Sequence, residues 1–267
     1  MRKTIAPLIT SPSNPRIKAF RLLMRKGEAD SQGRIPVEGV KLVKEAMSAG
    51  LSIEVMYMAE NRFREKSLRR LADSMQEAEL VLVDDRTFAS MVETDSPQGV
   101  AALVRLKEAP WELVSTGAPL LLVAWQMQDP GNLGTLIRSA DAFGVTAILF
   151  ASDCVNPYNQ KVIRSSAGSI FRVPCLEWEE SESLLSKLQR LGFRILATSS
   201  HSGTDFRRID YRGPAALFIG NEGRGLPGVL IEGADAQVRI PMARTESLNA
   251  AVAASIILAE SWRQRSL

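Results

Sequence analysis

Along the first hundred residues, apolar positions alternate between short β-rich runs and stretches with helical spacing. That rhythm predicts a helix from Pro15 to about Gly27, a strand at "RIPVEG", a helix from about Val40 to Gly50 and a strand at "IEVMYM". A helix near Arg64 to Met75 follows, then the strand "ELVLVD", a short helix from Arg86 to Met91 and the strand "GVAALVRL". These elements make a unit of roughly a hundred residues, a usual domain size.

The rhythm then stops. "KEAPWELVSTGAP" holds two prolines, a glycine and no periodicity, and marks a linker at residues 108–118. It divides the chain into domains at 1–107 and 119–267. Beyond it the strands are continuous apolar runs: "PLLLVAW", "TAILFA", "RILATS", "AALFIG" and "AQVRIPM". Runs without alternation suit parallel strands covered on both faces. Helices fit between them at "LGTLIRSADAFG", at about Gln160 to Phe171 and at "SESLLSKLQRLG", with a closing helix from about Leu248 to Arg263. The predicted class is α/β, a small α/β domain followed by a larger parallel-sheet α/β domain.

At 267 residues, 45% apolar and 24% charged, the composition is that of an ordinary globular protein. No stretch approaches the about 20 apolar residues of a membrane span. The first residues, "MRKTIAPLITSPSNPR", contain no apolar core of a secretion signal. Cys154 and Cys175 have no paired spacing. That fits a reducing cytoplasm, offers no metal-site signature and leaves two small buried residues as the plain reading.

Net charge is only +3, but its distribution changes the picture. Arg2, Lys3, Arg16, Lys18, Arg21, Arg25 and Lys26 precede any acid, and "RFREKSLRR" sets five bases against one acid. Such runs are usually solvated faces; two in the same half of the chain raise the possibility of a polyanion-binding surface.

Three segments of the second domain follow strand ends, where open α/β sheets carry their sites. In "QDPGNLGTLIRSADAFG" a turn on Pro130, Gly131 and Asn132 feeds a helix starting near Gly134, with Arg138 one turn in. Free N–H groups at such a start favour anions. "FIGNEGRGLP" packs three glycines and an acid behind a strand. It has no lysine and Ser/Thr at phosphate-loop offsets, and its order is not the dinucleotide G-x-G-x-x-G. In "IPMARTESLNAAVAASIILAE" a strand ends at Met242 and Ser247 is placed to cap a helix that is apolar nearly all round. Each has a bland reading: a capped helix with a surface arginine, a glycine-rich connector, a core helix. His201, after "ILATSS", lacks a cysteine or acid at ligand spacing and reads as a loop residue near the pocket.

Taken in order, N-x-G-x-x-x-R, G-N-E-G-x-G-L and I-P-M…E-S-L-N-A-A-V-A resemble the SpoU (TrmH-like) branch of the SPOUT RNA 2′-O-ribose methyltransferases. The carrying residues are Asn132, Gly134 and Arg138; Gly220 to Gly223, Gly225 and Leu226; and Ile240, Pro241, Met242, Ser247, Leu248 and Asn249. "ITSPSNPRIK", "VEGVKLVKEA" and "TDSPQGVAAL" resemble that family's RNA substrate-binding domain.

The resemblance implies a C-terminal parallel α/β domain tied in a trefoil knot, an enzyme working as a homodimer, and S-adenosylmethionine as cofactor. It implies methyl transfer to a ribose 2′-hydroxyl, in 23S rRNA as in most relatives with this N-terminal domain; transfer RNA is the alternative substrate. Cofactor contacts carry over to backbone groups around Thr198, Gly220, Ile240, Met242 and Leu248. Arg138 would activate the hydroxyl, with Asn132, Glu222, Ser247 and Asn249 orienting the nucleotide and the arginine. A guanidinium is effectively always charged, so an RNA phosphate held by Arg138, or water, is an alternative to take the proton.

One departure stands out: the loop after I-P-M is "ARTE", without the usual glycine and one residue shorter. Two rivals remain, a non-catalytic RNA-binding protein on the same fold and a nucleotide-dependent oxidoreductase. Intact Arg138, Glu222, Ser247 and Asn249 weigh against the first, and the missing G-x-G-x-x-G turn against the second.

Overall fold

A computed structural model describes residues 5–75, 77–151, 153–178 and 181–266. The chain divides into two compact units, one of residues up to Lys107 with Tyr158–Arg164, the other of Glu108–Pro157 and the residues from Ser165 on.

The first unit contains β1 (Ile5–Ile9), α1 (Pro15–Lys26), β2 (Arg34–Glu38), α2 (Val40–Ser48), β3 (Ser52–Ala59), α3 (Glu60–Phe63), α4 (Lys66–Ser74), β4 (Glu79–Val83), α5 (Asp85–Met91) and β5 (Val100–Arg105). The sheet order is β1-β4-β3-β5-β2, with β5 antiparallel to both its neighbours and the other pairs parallel. α1 shows how the sequence sets an element. Asn14 accepts from Arg16 N (2.9 Å), Pro15 fills the first turn and Gly27, at φ +64°, ends the helix. Ile17, Phe20 and Met24 recur at helical spacing and are buried with Tyr57, Val81 and Phe88. Phe20 meets Tyr57 edge-on, ring centroids 5.0 Å apart.

Not every base of the N-terminal run is available to a partner. Arg16 forks onto both carboxylate oxygens of Glu79, one arm at 2.8 Å, and this hydrogen bonding holds the Glu79 carboxyl below its ordinary pKa. Arg62 pairs with Glu65 at 2.5 Å. Lys18, Arg25, Lys26, Arg64, Lys66 and Arg70 stay exposed, while Arg2 and Lys3 lie outside the described residues.

The remaining elements are β6 (Leu120–Ala124), α6 (Pro130–Ala142), β7 (Ala147–Ala151), α7 (Gln160–Ser165), β8 (Cys175–Trp178), α8 (Ser181–Arg190), β9 (Arg194–Thr198), β10 (Thr204–Asp205), β11 (Ala215–Ile219), α9 (Gly228–Glu232), β12 (Ala236–Arg239) and α10 (Ala250–Arg265). All seven strands run parallel in the order β10-β12-β9-β11-β6-β7-β8. β6 and β11 are buried throughout, as continuous apolar runs require.

Three local readings change. The segment 108–118 is not a bare tether: Trp111 and Val114 form a 3-10 turn whose Val114 is buried in the second unit's core. There Trp111 meets Trp178 edge-on, with Lys187 Nζ 3.5 Å from the Trp111 ring centroid. α7 stops at Ser165, because Ala167 and Gly168 adopt left-handed φ values of +52° and +96°. Most of α7 belongs to the first unit, where Gln160 Nε2 donates to Pro36 O at 2.9 Å.

Candidate active site

Strand order brings together what the sequence keeps apart. β12, β9, β11 and β6 are successive neighbours, so their C-terminal ends share one edge of the sheet. The turns after β9, β11 and β12, with the start of α10, enclose a cavity of about 390 Å³. Thr198, Gly220, Ile240, Met242 and Leu248 all line it, as do Glu222, Ser247 and His201. Ile219, Leu226, Val238 and Ile257 supply an apolar wall, and the volume lies in the range of small-molecule sites. An apolar slot bordered by strand-end backbone and a polar mouth fits the adenosine part of S-adenosylmethionine. Thr198 Oγ1 donates to Phe218 O (2.9 Å), which commits its hydroxyl within the sheet.

The glycine-rich loop is closed on itself. Asn221 and Gly225 exchange backbone hydrogen bonds (3.2 and 2.9 Å), and Gly225 sits at φ +67°. The Asn221 side chain accepts from Gly223 N (2.9 Å) and Arg224 N (3.1 Å) and donates to Gln126 O (2.8 Å). Gln126 itself has a left-handed φ of +51°, a sparsely populated conformation for a non-glycine residue beside a site. Sequence reading gave Asn221 no role beyond motif membership. Its capacity for Asx turns was the available signal. Gly220 is needed for space: a Cβ there would lie 2.6 Å from both Gly225 O and Leu226 N.

α6 begins earlier than predicted. Pro130 occupies its first turn and Asp129 is the N-cap, accepting from Asn132 N at 2.7 Å. Arg138 is therefore two turns into the helix rather than one, and the carboxylate of Asp129 takes one of the helix-start N–H groups. Gly134 is buried against Ser165, whose backbone carbonyl carbon would be 2.9 Å from an added Cβ. Arg138 is exposed, does not line the cavity, and makes no hydrogen bond or ion pair among the described residues.

Asn249, not Ser247, caps α10: its Oδ1 accepts from Ala251 N (3.0 Å) and Val252 N (3.2 Å). In the "ARTE" loop, Thr245 Oγ1 donates to Ser247 O at 3.0 Å. The cap sets a direction for everything attached to it. With Oδ1 facing the helix, Asn249 Nδ2 donates to Asn132 Oδ1 (2.9 Å), and Asn132 Nδ2 then donates to Glu222 Oε1 (2.6 Å). One residue from each of the three motifs thus joins a single chain of donors ending on a carboxylate in the cavity wall.

Residues 119–259 match the SpoU rRNA Methylase family, and residues 14–102 match the MRM3-like substrate binding domain. The chain is 35% identical to an uncharacterized tRNA/rRNA methyltransferase of Synechocystis, over 96% of this chain and 94% of that one. It is 32% identical to the 23S rRNA (guanosine(2553)-2′-O)-methyltransferase RlmP of Bacillus subtilis, over 94% of this chain and 97% of the relative. The AdoMet-bound rRNA methyltransferase of Sinorhizobium meliloti matches with a TM-score of 0.82 at 30% identity, covering 97% of this chain and 98% of the other. The larger unit has the SPOUT fold of these structural relatives. The second and third motifs line one cavity, the first is tied to it through Asn132 and Glu222, and the family match spans most of the second unit: the chain belongs to the SpoU rRNA methylase family.

Proposed function

We propose that this chain, a methyltransferase that uses S-adenosylmethionine, methylates a ribose 2′-hydroxyl of 23S rRNA. The observation that supports this most is the Asn249–Asn132–Glu222 donor chain at the wall of the cavity, because it couples all three motifs at one place. Relatives whose names specify 23S rRNA 2′-O-methylation support the substrate.

When bound, S-adenosylmethionine supplies a methyl group on an already electrophilic sulfonium, so the protein's work is alignment and removal of one proton. Glu222 keeps one oxygen on Asn132 and leaves the other to orient the incoming nucleotide. Asn132 and Asn249 fix that carboxylate, and Ser247 lines the same wall. Arg138, uncommitted on α6, holds the RNA phosphate beside the reacting ribose and helps the hydroxyl lose its proton; phosphate or water receives it. The exposed bases of the first unit hold the RNA backbone.

The enzyme works as a homodimer in the cytoplasm. Val252 (45% exposed) and Trp262 (50%) leave apolar surface open on α10, a face suited to a second copy. No helix among the described residues is long and apolar enough to cross a membrane.

Label from methyl-tritiated S-adenosylmethionine is expected to enter protein-free 23S rRNA and not bulk transfer RNA. Equal or greater labelling of transfer RNA would overturn the substrate assignment.

A further inference from the structure

Two side chains of opposite charge line the cavity without a use in the scheme above: Arg224, from the glycine-rich loop, and Glu246, from the loop before α10. Both are exposed, and neither side chain makes a hydrogen bond or ion pair among the described residues. The cavity's other carboxylate, Glu222, is already engaged by Asn132 at 2.6 Å. The backbones that carry the two side chains are held. Arg224 N donates to Asn221 Oδ1 (3.1 Å), next to the left-handed turn at Gly225, and Thr245 Oγ1 bridges Glu246 by bonding Ser247 O (3.0 Å). Several exposed arginines close onto neighbouring acids, as Arg212 does on Asp210 (2.9 Å) and Arg263 on Glu260 (2.7 Å), and Arg224 does not. Here a cation and an anion stand open in one cavity whose lining is otherwise mixed, apolar at Ile219, Leu226, Val238 and Ile257 and polar at Thr198, His201 and Ser247.

We infer that Arg224 and Glu246 bind the amino-acid end of the cofactor, the guanidinium taking its α-carboxylate and the carboxylate its α-ammonium. The inference rests on the cofactor reading above. A planar fork matches a carboxylate at two points, whereas an ammonium needs an acceptor-only partner, which an ionised glutamate supplies. An α-amino acid is a zwitterion, and two opposite, unpaired charges in one cavity complement both its ends. The adenosine part then occupies the apolar wall of Ile219, Leu226 and Val238. His201, the cavity's further ionisable side chain, follows β9, on a different lining segment from either charge.

Calorimetric titration of the full chain with S-adenosylhomocysteine and with 5′-methylthioadenosine, which lacks the amino-acid end, separates the possibilities. The wild type is expected to bind S-adenosylhomocysteine at least about tenfold more tightly, the scale of a charge-assisted hydrogen bond. Arg224→Gln and Glu246→Gln should each remove about tenfold of that affinity and leave methylthioadenosine within about twofold. Equal losses for both ligands would mean a disturbed cavity, and no loss for either would mean that these charges serve something else, such as RNA. Either result overturns the assignment. A wild type that binds neither ligand would instead refute the cofactor site itself, and the inference with it.

Discussion

Replacing Arg138 by alanine is expected to lower methyl transfer at least about 100-fold, with the dissociation constant for S-adenosylmethionine within about twofold of wild type. The separation follows from where the side chain lies. Arg138 is outside the lining of the cavity, so its removal takes no contact from the cofactor. It is exposed and makes no hydrogen bond or ion pair among the described residues, so truncation leaves no buried group unsatisfied and stability should hold within about 0.5 kcal/mol. The buried side of α6 (Leu133, Leu136, Ile137 and Ala140) is untouched by the change. Single-turnover transfer, cofactor titration and thermal unfolding measure the three quantities independently. Near-normal transfer would remove Arg138 from the chemistry, and lost cofactor affinity would assign it a different role.

Gly220→Ala acts from the opposite direction. Its added methyl would lie 2.6 Å from Gly225 O and from Leu226 N, both backbone atoms of a loop closed by the Asn221–Gly225 pair. No flexible side-chain end can yield, so the loop itself must open. Overpacking of this kind costs about 1–3 kcal/mol. Because the same loop forms one wall of the cavity, the strain should appear as weakened cofactor binding, about tenfold or more. Leu226, buried in the core behind the loop, would be pushed as well, and the melting temperature should fall. Unchanged cofactor affinity would mean that the glycine-rich loop is not a cofactor wall.

The sequence made the larger elements readable wherever burial is two-sided or strictly periodic. β6 and β11 are continuous apolar runs because every one of their residues is buried, and α1 repeats its buried residues at helical spacing. Elements that are very short or interrupted by proline escaped. β1 carries Pro7 and is tolerated because it is an edge strand, paired with β4 alone. β8 is four residues long and β10 only two, too short for a period to register. The start of α6 was set too late because Pro130 looked like a turn residue, whereas behind the Asp129 cap it is a helix starter. The turn at Trp111–Val114 has no period at all; an aromatic pair and a lysine fix it by tertiary contact.

The site shows the same division. Thr198, Gly220 and Ile240 look unremarkable singly, and resemblance alone drew them together in the sequence. They meet because β9, β11 and β12 are neighbours in a sheet whose order departs from chain order. The Asn249–Asn132–Glu222 chain spans residues 90 and 117 positions apart, beyond any local pattern. Assigning the cap to Ser247 rather than Asn249 reflects a local ambiguity, since both residue types cap helices well and only the geometry decides.

The central claim is that the acceptor is a ribose 2′-oxygen, and alkaline hydrolysis reads that oxygen directly. Cleavage requires the 2′-oxygen to attack the adjacent phosphate, and a methyl group on it removes the nucleophile. End-labelled 23S rRNA fragments treated with the protein and S-adenosylmethionine should give a hydrolysis ladder with one new gap, absent without cofactor and absent with Arg138→Ala. RNA that takes up labelled methyl groups yet yields an unbroken ladder would contradict the claim.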